Sequence, residues 1–181
     1  HKNDSKSIGV NWDRAHDLLK IFTKEKPLPF AQIDMHLIES FRDFLLKAPR
    51  GGNKSGTISQ NTASTYFTLF KAALHQAFID SYFDVDIAAK VKGISGVESR
   101  REYLTIEELN KLAATPCEYP MLKKAAFFSA LIGLRHSDIR KMTWKELSVE
   151  GDHYRINFTQ RKTGGVEYMP ISEQAYLICG E

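Results

Sequence analysis

The sequence predicts a mainly α fold with a small β-hairpin: an all-α four-helix unit, then a mixed α+β segment. Three observations carry that expectation. Apolar residues recur at helical spacing through the first half of the chain. A glycine- and charge-rich stretch, KGISGVESRREY over residues 92–103, then interrupts the pattern as a linker does. Beyond it, Tyr154, Ile156 and Phe158 alternate with Arg155, Asn157 and Thr159, the alternation of a half-buried strand. With 181 residues, 43% apolar and 26% charged, the composition is globular and neither disordered nor collagenous.

The elements follow in order. Trp12, Ala15, Leu18, Leu19 and Phe22 predict a helix over 11–25, ended by Pro27 and Pro29. Asp34 is the expected N-cap of a second helix with a Leu37, Ile38, Phe41, Phe44 and Leu45 stripe, closed by Pro49. RGGNKSGT, residues 50–57, is a polar loop by composition. The longest helix runs from about Ser59 to Phe78, and a short one at 86–92 completes the unit. After the linker, Thr105 and Glu108 form a T-x-x-E capping box that restarts the chain as helix 105–114. An apolar helix over 121–132 stops at Gly133, placed for a left-handed C-cap, and another is expected from Ser137 to Met142. TQRKTGG, residues 159–165, joins the strand ending near Thr159 to a second one, Val166 to Ile171. A short helix follows from Ser172.

Composition also excludes some classes. Cys117 and Cys179 stand far apart without paired spacing, so a disulfide framework or a cysteine zinc site is not expected, and a reducing compartment fits. No apolar run approaches roughly 18 residues, so no membrane span is visible. No signal peptide opens the chain, which starts at His1 without Met; an excised or processed piece is expected.

The net charge of +3 is mild, but its distribution is uneven. Between Asp43 and Asp80 there is no acidic residue, while Lys47, Arg50, Lys54 and Lys71 fall inside that window. A one-signed window in a mixed chain reads either as a polyanion-facing surface or as a solvated loop leading into a half-buried helix. The start of the long helix is dense in Ser59, Gln60, Asn61, Thr62, Ser64 and Thr65, mediocre helix formers. Hydroxyls and amides at a helix N-terminus beside a basic loop make a seat for phosphate.

Two places can carry chemistry. In ALIGLRHSDIRKMTW, residues 130–144, Arg135 follows the helix stop at Gly133, and Asp138 comes three residues later. An arginine at such a turn can aim a planar fork of donors into a cleft, with Asp138 orienting it or capping the helix. Taken alone, the pair reads rather as a surface ion pair contributing about 0–1 kcal/mol. The hairpin tip, Gln160-Arg161-Lys162-Thr163-Gly164-Gly165, offers a lysine able to reach a phosphate or a leaving oxygen. Taken alone, it reads rather as a solubilising turn.

In combination these motifs are specific. GLRHSDI, then a strand–QRKTGG–strand hairpin, both after a four-helix unit and a YLTIEEL restart, resembles the tyrosine recombinase (phage integrase) family, in particular integrases of bacterial mobile elements. The resemblance covers nearly the whole chain. It implies an all-α core-binding domain over 8–92, a linker over 93–102, and over 103–181 the N-terminal part of an α+β catalytic domain.

What the resemblance implies can be written residue by residue. Arg135 matches the first catalytic arginine, which holds the non-bridging oxygens of a scissile phosphate. Lys162 matches the hairpin lysine, the general acid for the departing 5′ oxygen. Asp138 matches an acidic position supporting the arginine and the local fold, and Arg161 is a candidate for backbone contact. The implied reaction is metal-free DNA strand transfer through a 3′-phosphotyrosyl link, with no cofactor and no nucleotide. The partners implied are double-stranded DNA and a tetramer of the full-length protein on it, in the bacterial cytoplasm, with no membrane.

The chain departs from that pattern in its last third. No H-x-x-R follows Lys162, Tyr176 comes too soon after the hairpin, and Tyr66, Tyr82 and Tyr103 belong to the wrong regions. The expectation is a nucleophile absent from this chain, a fragment inactive alone, and exposed apolar surface near residues 166–181.

The expected DNA face is the 50–57 loop and the start of the long helix. Its candidates are Lys54, Ser55, Thr57, Ser59, Asn61, Thr62 and Thr65, with Lys71 further along, and Asn61 for a base edge. The linker would let two domains clamp opposite faces of a duplex. Other readings are a non-catalytic DNA-binding or regulatory protein on the same scaffold, and a helical protein-interaction module with an unrelated hairpin.

Overall fold

The computed structural model describes residues 6–51, 55–98 and 100–179. The chain divides into two compact units, one ending at Arg101 and one beginning at Glu102.

The first unit is all-α. Helices α1 (Lys6–Phe22), α2 (Met35–Leu45), α3 (Gln60–Ile79) and α4 (Ile87–Lys90) pack around one core. Leu18, Ile38, Phe41, Leu45, Ala48, Ala63 and Phe67 are its most deeply buried members. Phe41 lies at its centre, edge-on to Phe70 at 4.8 Å and tilted against Phe22 at 5.3 Å. Asp34 caps α2 by accepting the Leu37 N–H at 2.7 Å, as expected from its place before an apolar stripe.

Two details differ from the sequence expectation. α1 begins at Lys6 and ends at Phe22, several residues before the prolines. Its termination lies in the backbone of Lys24 and Glu25, both left-handed at φ 53° and 58°, which turns the chain before Pro27 is reached. The 50–57 loop is not open coil throughout. Pro49 and Thr57 form an antiparallel bridge, Arg50 N–H donates to the Gly56 carbonyl at 3.1 Å, and Ile58 N–H to that of Ala48 at 2.9 Å. Gly51, at φ 78°, passes against the Arg14 guanidinium, which itself donates to the Pro49 carbonyl at 3.2 Å. A side chain at Gly51 is strained by that conformation and would displace the Arg14 guanidinium.

The second unit is α+β. Helices α5 (Ile106–Ala114), α6 (Pro120–Ile132) and the single turn α7 (His136–Ile139) precede three strands and α8 (Glu173–Cys179). The strands β1 (Leu147–Glu150), β2 (His153–Thr159) and β3 (Val166–Ile171) form an antiparallel sheet in that order. The register pairs Ile156 with Leu147 on one side and Met169 on the other. Ile156 and Phe158 face inward onto Phe128 of α6 and Ala175 of α8. Both sides of the Thr105–Glu108 capping box form.

Here too there are corrections. The helix expected over 137–142 is one turn only. β1 went unforeseen because four residues, LSVE, are too few to establish alternation. Apolar surface does lie exposed at Val166, Tyr168 and Leu177, and also at Met121, Leu122 and Trp144. The last three line an apolar groove of about 580 Å³ with Ile139, Met142 and Ile178.

Candidate active site and nucleic-acid interface

The site in the second unit begins with the end of α6. Gly133 adopts φ 68°, ψ 13°, a left-handed cap, and donates its N–H to the Ser129 carbonyl at 2.8 Å. Ser129 Oγ donates to the Leu134 carbonyl at 3.1 Å, and the Leu134 side chain packs on the core. The next residue, Arg135, is therefore held in extended backbone at the N-cap of α7, with its side chain exposed.

From that turn, three side chains spaced three apart reach the hairpin. Arg135 Nη1 donates to Gln160 Oε1 at 3.2 Å. Asp138, only 2% exposed, accepts the main-chain N–H of Arg161 at 2.8 Å. Lys141 Nζ donates to the Thr159 carbonyl. The hairpin is thus sewn to α7 at residues 159, 160 and 161, immediately before Lys162.

Asp138 does not do what the Arg–Asp pair reading expected. It forms no ion pair with Arg135 and caps no helix; its carboxylate is spent on the hairpin backbone. A buried carboxylate needs a donor, and an amide from a neighbouring strand end supplies one. Among the described residues no carboxylate pairs with Arg135 or Lys162. Lys162 stands exposed on the turn, beside Gly164 at φ 72°. Both cations lack a direct ion pair, while Asp138 and Glu167 lie at the same hairpin base, bound to the Arg161 N–H and the Gln160 amide. Arg161 is likewise exposed.

Tyr176 is engaged elsewhere. Its ring stacks on Tyr154 at 4.5 Å, on α8 against β2. Burial pushes the thiol of Cys179 up from its ordinary value, so it is not poised as a nucleophile. No group of three or more His, Cys, Asp or Glu among the described residues is arranged to hold a metal ion.

The expected DNA face in the first unit has a different internal logic. Lys54 lies outside the described residues. Ser55, Thr57 and Ser59 are exposed, with Thr57 in the bridge to Pro49. Ser59 caps α3, accepting Thr62 N–H at 3.2 Å and sharing a hydrogen bond with the Thr62 hydroxyl at 2.8 Å. Thr65 donates back to the Asn61 carbonyl at 3.0 Å.

Asn61 is not free to read a base edge. Its Nδ2 donates to the Val97 carbonyl at 2.9 Å, and its Oδ1 accepts Val97 N–H at 2.8 Å. Gln60 donates to Ser95 O at 2.9 Å, Ser64 to Ile94 O at 2.8 Å and Lys71 to Val91 O at 2.6 Å. Residues 91–97 therefore form a strap along α3, with Val91 and Ile94 packed on the core. The polar density at the start of α3 serves this strap as well as the cap. The first half of the stretch read as a linker is thereby bound to the helix, because its carbonyls find donors there. Sequence reasoning missed Gln60, Ser64, Lys141 and Gln160 as structural contacts. The spacing 135, 138, 141 is a signal for the second group; for the first there is none.

Residues 1–92 match the phage integrase SAM-like domain. Among solved structures, the chain is similar to a lambda integrase dimer bound to a COC' core site, with a TM-score of 0.68 and 17% identity over 98% of this chain and 48% of that one. It is similar to a lambda integrase tetramer bound to a Holliday junction, with a TM-score of 0.64 and 18% identity over 93% and 46%. A third likeness is to XerH site-specific recombinase bound to palindromic difH substrate in a post-cleavage complex, with a TM-score of 0.61 and 15% identity over 90% and 46%. The chain spans about half the length of these structures. A sequence comparison with curated proteins finds no match.

Proposed function

The chain belongs to the phage integrase, or tyrosine recombinase, family, and from that membership we propose that it binds duplex DNA and carries part of a site for metal-free strand transfer. In the full-length protein the reaction is site-specific recombination. A tyrosine oxygen attacks phosphorus, the P–O5′ bond breaks, and a 3′-phosphotyrosyl link forms. A 5′ hydroxyl later attacks the same phosphorus and releases the tyrosine. That nucleophile is not among the tyrosines of this chain, so the chain by itself binds without cleaving.

Arg135 holds the non-bridging oxygens, for which a permanently charged fork is suited. Lys162 gives its proton to the departing 5′ oxygen. Asp138 acts at one remove, fixing the hairpin that carries Lys162. The observation that carries the reading is the Arg135–Gln160 hydrogen bond, which brings the arginine to the base of the lysine's own turn. In the first unit, Lys54, Ser55, Thr57, Ser59, Thr62 and Thr65 line the duplex and contact phosphate. Lys71 joins them through the donors its ammonium keeps beside the Val91 carbonyl, and Asn61 only on releasing Val97. Several copies assemble on DNA, as the lambda integrase tetramer does on its Holliday junction.

Two experiments test this. Arg135→Ala and Lys162→Ala should each flatten the salt dependence of duplex binding by about one unit of slope. In a longer chain carrying the downstream tyrosine, a suicide DNA substrate should trap a covalent adduct that Arg135→Ala abolishes. Salt-independent binding, or no adduct, refutes the proposal.

A further inference from the structure

We infer that Gln160 is the positioning residue that sets the Arg135 guanidinium against the Lys162 turn, so that both address one phosphate. The inference rests on the reading of Arg135 and Lys162 as the phosphate-binding pair.

Gln160 closes the hairpin with its backbone. Its N–H donates to the Gly165 carbonyl at 2.7 Å, and its carbonyl accepts Gly164 N–H at 2.9 Å. The side-chain amide is used at both ends. Oε1 accepts from Arg135 Nη1 at 3.2 Å and from Thr163 Oγ1 at 2.7 Å, while Nε2 donates to Glu167 Oε1 at 2.9 Å. One carboxamide therefore joins the arginine, the far side of the turn and strand β3. Lys162 sits inside the loop that the Thr163–Gln160 bond closes.

The chemistry demands glutamine. Two donors meet at one end and a carboxylate at the other, so the group needs an acceptor and a donor on the same planar head. A carboxylate would satisfy the donors and repel Glu167. Asparagine has the right head but is one methylene short. With one guanidinium nitrogen held, the rest of the rigid fork has a fixed direction before any phosphate arrives, and such preorganisation raises affinity and rate.

The test uses the full chain and a labelled DNA duplex, comparing wild type with Arg135→Ala, Gln160→Ala, Gln160→Asn and the Arg135→Ala/Gln160→Ala pair. Both Gln160 variants should weaken binding about tenfold, the low end for one lost hydrogen bond to a charged group. Gln160→Ala should add nothing once Arg135 is gone. In nitrogen-15 spectra the Arg135 guanidinium signals, assigned by their loss in Arg135→Ala, should shift in both Gln160 variants, while the Ile156 and Phe158 amides stay in place. Additive losses in the double variant, or unmoved guanidinium signals, overturn the positioning role. Weakened binding in Arg135→Ala with wild-type binding in Gln160→Ala overturns it alone. Unchanged binding in Arg135→Ala removes the phosphate reading, and this inference with it.

Discussion

The buried carboxylate of Asp138 accepts the main-chain N–H of Arg161 at 2.8 Å, tying the turn after α6 to the hairpin between β2 and β3. This bond joins residues 23 apart in sequence and needs no side chain from the hairpin. Its function is positional: wherever α7 goes, the base of the Lys162 turn goes too.

Asp138→Ala should therefore loosen the hairpin more than it perturbs α6. Removing the acceptor leaves a half-buried amide without its partner, at a cost of about 1–3 kcal/mol. Chemical denaturation should register that loss, and the Arg161 amide should exchange faster with solvent. Unchanged exchange at Arg161 would mean that the bond contributes nothing.

Asn61→Ala should release the strap. Two hydrogen bonds to Val97 vanish together, for a loss of about 1–2 kcal/mol, and residues 95–98 should become cleavable by a protease at concentrations that spare the wild type. Asn61→Asp keeps the acceptor for Val97 N–H but turns a carboxylate oxygen on the Val97 carbonyl, so it should fall on the same side. Wild-type resistance in both variants would separate the strap from Asn61.

Gly51→Ala meets two obstacles at once. The backbone at φ 78° is unfavourable for any side chain, and the added carbon runs into the Arg14 guanidinium. A loss of about 1–2 kcal/mol is expected, visible as a lowered thermal midpoint. Arg14→Ala in the same background should recover the steric part and leave the conformational part.

The acid limb of stability should carry a contribution from Asp86. The hydrogen bond from His75, at 2.7 Å, holds its carboxyl below the ordinary value of 3.8. A depressed carboxyl stabilises the fold above its unfolded value, and the contribution disappears as pH falls through the lower, folded value. The window is thus below about pH 4. Asp86→Asn should flatten the stability profile of the first unit there, measured by denaturant titration at several pH values; an unaltered profile would refute the assignment.

Much of this protein is legible in its sequence. Helical periodicity located α2, α3 and α6 because their apolar stripes are long, and Asp34, Thr105 and Gly133 marked ends through local hydrogen bonds and backbone angles that depend on neighbouring residues alone. The alternation of Tyr154, Ile156 and Phe158 identified β2 for the same reason. β1 escaped because a short strand is defined by its partner. The candidate pair, Arg135 and Lys162, was legible as a combination of motifs.

What linear order could not decide is which polar groups meet. Asn61 has the same amide whether it faces a base or Val97, and Asp138 the same carboxylate whether it holds Arg135 or the Arg161 amide. Those choices follow from which backbone donors and acceptors packing leaves without partners. Residues 20 to 36 apart meet along the strap, and 25 apart at Gln160. Chain composition set the local conformations; only the folded arrangement assigned their hydrogen bonds, because an unpaired polar group costs free energy only once its surroundings exclude water.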